Sequence, residues 1–89
     1  MADRQLRVPD FVKLFKAHGC SAGINSNNIV VVSRTVAGGQ RRFSQHAHKG
    51  VHDSFSNLIV RKCRRRMAFD TMPDDEFYAD SFTSEAAKH

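Results

Sequence analysis

The chain has 89 residues, 40% of them apolar, with seven Phe, no Trp and a charged fraction of 26%. A chain this short buries only about 60–65% of its unfolded surface, which gives one thin core and leaves no room for a second. No apolar run approaches the ~20 residues of a membrane span, and Met-Ala-Asp-Arg lacks a signal peptide's apolar region, so no membrane role is expected and the setting reads as cytoplasmic.

The net charge of +5 hides an asymmetry. Residues 1–66 hold thirteen Lys/Arg against three Asp/Glu, and residues 67–89 hold one Lys against six Asp/Glu. The reading is therefore a basic domain over 1–69 followed by an acidic, aromatic tail over 70–89. A basic body raises the local concentration of phosphate-bearing ligands and points to nucleic acid as partner. Cys20 and Cys63 are too few and too far apart for a metal knuckle or a redox pair, and read as packing residues of a reducing compartment.

Residues 1–8 are polar and read as loose. A helix begins at Pro9-Asp10, with Pro suited to a first turn and Asp to the positive end of the dipole. Phe11, Leu14, Phe15 and His18 form one stripe, and Gly19 ends the helix at C′. His18 reads as a helix-end residue. Cys20 to Ile24 is a short strand, Asn25-Ser26-Asn27-Asn28 a turn, and Ile29-Val30-Val31-Val32 the clearest and most central strand. Gly38-Gly39 suits a hairpin turn.

A third strand follows from Gln40, and its period of two divides the side chains. Phe43 and Ala47 share the core face with Arg41 and Gln45, whereas Arg42, Ser44, His46 and His48 form a polar row. Asp53 or Ser54 caps a second helix whose apolar arc contains Phe55, Leu58, Ile59, Val60, Cys63 and Met67. It ends in Arg61-Lys62-Cys63-Arg64-Arg65-Arg66, cations placed at the negative end of the helix dipole.

The expected architecture is a two-layer α-β-β-β-α domain, a small antiparallel three-stranded sheet with two helices on one face, as in double-stranded-RNA-binding-like folds. Within that fold the chain resembles the HicA toxins of bacterial toxin–antitoxin pairs over about residues 7–67. The resemblance rests on the helix from Asp10 to Gly19, the hairpin around Asn25-Ser26-Asn27-Asn28-Ile29-Val30, the His48-Lys49-Gly50 turn, and the helix from Phe55 to Arg65. It implies an RNA-facing surface and a protein partner, an antitoxin. The family's RNA-cleaving histidine falls at Asn27, or at Asn28 with a one-residue slip, and Asn is no general base near neutral pH.

Four readings of the site residues follow. Arg41, Arg42, Lys49, Arg61, Lys62, Arg64, Arg65 and Arg66, with His46 and His48, can neutralise RNA phosphates in a manner that weakens with salt. Metal-independent RNA cleavage needs a base, an acid and nearby cations, and His46 and His48 beside Arg42 supply these types. His46, His48 and His52 could also hold a metal, but only Asp53 is at hand to complete the set, so no metal or cofactor is expected. Lastly, Phe77, Tyr78 and Phe82 are the aromatic anchors by which the acidic tail would dock a protein partner.

Overall fold

The computed structural model describes residues 5–78. Its elements are β1 (Leu6–Arg7), α1 (Val8–Ala17), β2 (Ser21–Ile24), β3 (Ile29–Val36), β4 (Gly39–His46), a 3₁₀ turn (Gly50–His52), β5 (Ser54–Phe55) and α2 (Asn57–Arg66). One further helical turn occupies 74–78. The main sheet is antiparallel in the order β2-β3-β4, so the β-branched run sits in the centre, and the fold is the expected α+β arrangement.

Parity decides what each sheet face does. Val30 and Val32 are fully buried, and Ala22, Ile24 and Phe43 pack against the same core from the neighbouring strands. The register pairs Val32 with both Ala22 and Phe43, and Val30 with Ile24, so these residues form one apolar face. The Phe11, Leu14 and Phe15 stripe of α1 and Val60, Cys63 and Met67 around α2 complete that core. Ser33, Arg42, Ser44 and His46 belong to the opposite face.

Both helices end in the same way by different means. In α1, Gly19 (φ +87°) donates to Lys16 O and Cys20 to Phe15 O, the double bond of a Schellman motif. In α2, Ala68 donates to Arg65 O and Phe69 to Arg64 O, but the left-handed residue (φ +65°) is Ala68. An L side chain is strained there, which is why composition did not reveal this terminus.

Four local expectations are corrected. Leu6 is buried and pairs with Phe55, so the start of the described chain is a strand rather than a loose lead. Ser54 and Phe55 are consumed by that pairing; α2 starts later, and the Ser56 hydroxyl caps it by accepting from Ile59 N. Leu58, expected in the apolar arc, is 58% exposed because at 100° per residue it stands roughly opposite Val60 and Met67 around α2. The hairpin bends at Ala37 and Gly38, and Gly39, at φ +126°, already pairs with Val36.

The largest correction concerns the acidic segment. Phe77 and Tyr78 are 0% and 3% exposed, so they are anchors of the chain's own core and not of a docked partner. Phe77 stacks on His18 with ring centroids 4.7 Å apart and meets Phe15 edge-on at 5.5 Å. The His18 Nε2 donates to the Phe77 carbonyl. The packed body therefore reaches at least to Tyr78, beyond the expected boundary at 69. Phe82 lies outside the described residues.

Candidate nucleic-acid interface

The open face of the sheet carries the polar row of β4. Gln40, Arg42, Ser44 and His46 alternate along it, all exposed, and no described helix covers them. Their partners on β3 are Thr35, Ser33, Val31 and Ile29. The face is polar at one end and has a small aliphatic step at the other.

At the His46 end, three loops converge. Asn25 Oδ1 accepts from Asn27 N and Ile29 N, which fixes the β2–β3 turn, and Asn28 O accepts from Ala47 N at 2.7 Å. Asn28 takes a left-handed backbone (φ +60°), and Gly50 (φ +62°) lies so close that an added Cβ would stand 3.2 Å from Asn28 Oδ1. His48 lies just past β4, where Asp53 holds it: Oδ2 accepts from His48 N and Oδ1 from Ser54 N, each at 2.8 Å. The result is edge contact between the His46 and His48 rings, with centroids 4.9 Å apart. Lys49 is exposed immediately after them, and the turn holding Asn27 adjoins them through Asn28.

Arg42 is not part of that cluster. It is four residues from His46 along the strand, about 13 Å at ~3.3 Å per residue. Its neighbours are at the C-terminus of α2: Arg66 Nε donates to Arg42 O at 3.0 Å, and Arg41 Nη1 donates to Arg66 O at 3.3 Å. Arg34 donates to Met67 O in the same region and stands over the Phe69 ring. Arg34 and Arg41 satisfy carbonyls that the end of α2 leaves open and oppose its negative dipole, whereas Arg66 reaches back to a carbonyl of β4. Arg34 was missed in the sequence, although it shares the core parity of Val30 and Val32.

Arg64 is removed from the phosphate-binding set. It is 5% exposed; Nε donates to Phe69 O, Nη2 to Met72 O, and Nη1 pairs with Asp74 at 2.5 Å, while the guanidinium lies 4.6 Å from the Phe77 ring centre. A buried guanidinium needs this many partners, and these lie between Phe69 and Phe77. Arg61 and Arg65 share an open cleft of about 590 Å³ with Asp70, Asp74 and Asp75. Carboxylates thus temper the densest positive charge in the sequence, whereas Lys62 and Arg66 remain exposed.

Neither thiol is poised for chemistry. Burial pushes the Cys63 thiol well above its ordinary range, and Cys20 adds to the effect; burial raises Cys20 too, partly offset by Arg34. Among the described residues no group of three His, Cys, Asp or Glu could hold a metal ion. No described helix is long and apolar enough to cross a membrane.

The chain is thus a small α+β domain with one packed and one open sheet face. No family model, curated protein or solved structure matches it.

Proposed function

We propose that the protein binds RNA by its phosphates, along β4 and the two loops at its ends. The carrying observation is the uncovered strand with Arg42 and His46 on one face, flanked by Arg41 and Arg66 at one end and by His48 and Lys49 at the other. The exposed Arg61, Lys62 and Arg65 form a second, partly neutralised flank. Such a surface reads shape and backbone charge more than sequence, which suits a folded or duplex RNA. In a duplex-RNA anisotropy titration, Arg42→Ala with Arg66→Ala should weaken binding about tenfold and lower the salt slope by about 2. Lys16→Ala on the exposed side of α1 should leave both unchanged. Equal losses in the two variants, or no binding at low salt, would defeat the proposal.

One observation favours a second reading, a metal-independent endoribonuclease of HicA-like type acting in the cytoplasm and restrained by an antitoxin protein. His46 and His48 touch beside the turn that holds Asn27, which brings together two residues of the type such cleavage uses even though that family's histidine position is Asn. Cleavage of RNA in excess EDTA, abolished by His46→Ala and by His48→Ala separately, is the expected result. Cleavage that survives both changes removes these residues from the mechanism.

A further inference from the structure

The two edges of the main sheet are treated differently. At the β4 edge, the Arg42 carbonyl is occupied by Arg66, and adjacent Arg41 and Arg42 would repel a second copy of themselves. At the β2 edge, Ser21-Ala22-Gly23-Ile24 carries no charge, no Pro and no large side chain beyond Ile24, and among the described strands it is bonded to β3 alone. Edges are ordinarily protected by charge, Pro, bulges or shortness, and of these β2 has only its four-residue length.

The backbone direction along β2 follows from its register. Asn25 N donates to Ile29 O, so Asn25 faces β3; by antiparallel alternation Gly23 and Ser21 also face β3, whereas Ala22 and Ile24 turn their N–H and C=O groups outward. An antiparallel pairing of β2 with β2 of a second copy keeps both sheet faces aligned only if the two-fold axis passes through a residue pair. With the axis at Gly23, Ala22 meets Ile24 of the second copy and Ser21 meets its Asn25. The two Ala22–Ile24 pairs then bring together just those groups that point outward, four backbone hydrogen bonds in all. Apolar Ala22 and Ile24 face each other on the core side, and Gly23 at the axis removes any clash.

The geometry points to weak self-association of this protein through β2, giving a continuous six-stranded sheet in β4-β3-β2-β2-β3-β4 order. The strand is short, and the area it can cover is well below the roughly 800 Å² per partner of a lasting complex, so a dimer forms only at high concentration. Five strand spacings place the two β4 strands about 24 Å apart with their open faces on the same side. If β4 is the RNA-binding strand, one RNA then meets two cationic rows; the pairing itself does not depend on that.

Two substitutions read the pairing directly in the full chain without RNA. A Cβ at Gly23 meets nothing within 4 Å, so Gly23→Cys fits the monomer and places two thiols opposite each other at the axis, within disulfide range. Under mild oxidation Gly23→Cys should form a covalent dimer much faster than Thr35→Cys, an exposed control on the same face. Ala22→Pro removes only an outward N–H, which an edge strand tolerates, and should weaken the dimer seen by sedimentation up to ~1 mM about tenfold or more. Circular dichroism checks that both variants fold. A wild type that stays monomeric throughout, with Gly23→Cys and Thr35→Cys cross-linking at equal rates, overturns the inference. That outcome would leave the edge to a foreign strand.

Discussion

Arg64 separates two accounts of the basic cluster. If it were a phosphate ligand, Arg64→Ala would weaken RNA binding and leave the fold alone. The structure requires the reverse. The substitution strips partners from the Phe69 and Met72 carbonyls and from Asp74, removes a cation from the Phe77 face, and leaves a void under the acidic segment. Deleting one member of a buried, hydrogen-bonded ion pair costs about 3–5 kcal/mol, and Asp74 is exposed enough to regain water, so about 3 kcal/mol is expected. For a domain of this size that is a fall in Tm of about 12–25 °C. Urea denaturation followed by circular dichroism measures the first quantity, and anisotropy at a temperature where the variant is folded measures RNA affinity, expected to change less than about twofold. Arg64→Lys should recover little, because an ammonium cannot span three acceptors in one plane. A stability loss below about 0.5 kcal/mol with a large loss of affinity would refute the assignment.

Other consequences follow from single features. Phe77→Ala should cost about 3–5 kcal/mol, measurable by urea denaturation, since a fully buried ring is lost from the contact with Phe15 and His18. Ala68→Gly should stabilise by about 1 kcal/mol, because it relieves a left-handed Ala at the end of α2. The fold keeps the Cys63 thiol protonated well above the range where the unfolded chain releases it. Its stabilising contribution is therefore complete below about pH 8.5 and declines as pH rises, by up to about 1.4 kcal/mol per unit; urea midpoints between pH 8 and 10 should show this, with a flatter profile in Cys63→Ala.

Much of the fold was legible because its signals are local. The β-branched run at Ile29, the stripe of α1 and Gly19 each state their structure within a few residues, and the parity of β4 correctly separated Phe43 from Arg42. What failed depended on distant partners. Nothing near Leu6 shows that it pairs with Phe55, nor does the acidic composition after Phe69 show that His18 and Arg64 are waiting for Phe77. Part of the candidate site was legible for the same reason: two histidines at a spacing of two must share a face if the backbone stays extended. The distance of Arg42 from His46 was legible too, since four extended residues span about 13 Å; that Arg64 is buried depends on how the segment from Phe69 to Phe77 folds back on α2.

The order in which charge appears along the chain has a consequence for synthesis. Arg61 to Arg66 precede Asp70 to Glu76, and the core is incomplete until Phe77 and Tyr78 have arrived. At typical elongation rates of about 5–20 residues per second, the cationic helix precedes its acidic cover by about a second. During that interval the nascent chain is more positive than the finished body and has an unsealed apolar gap beside His18.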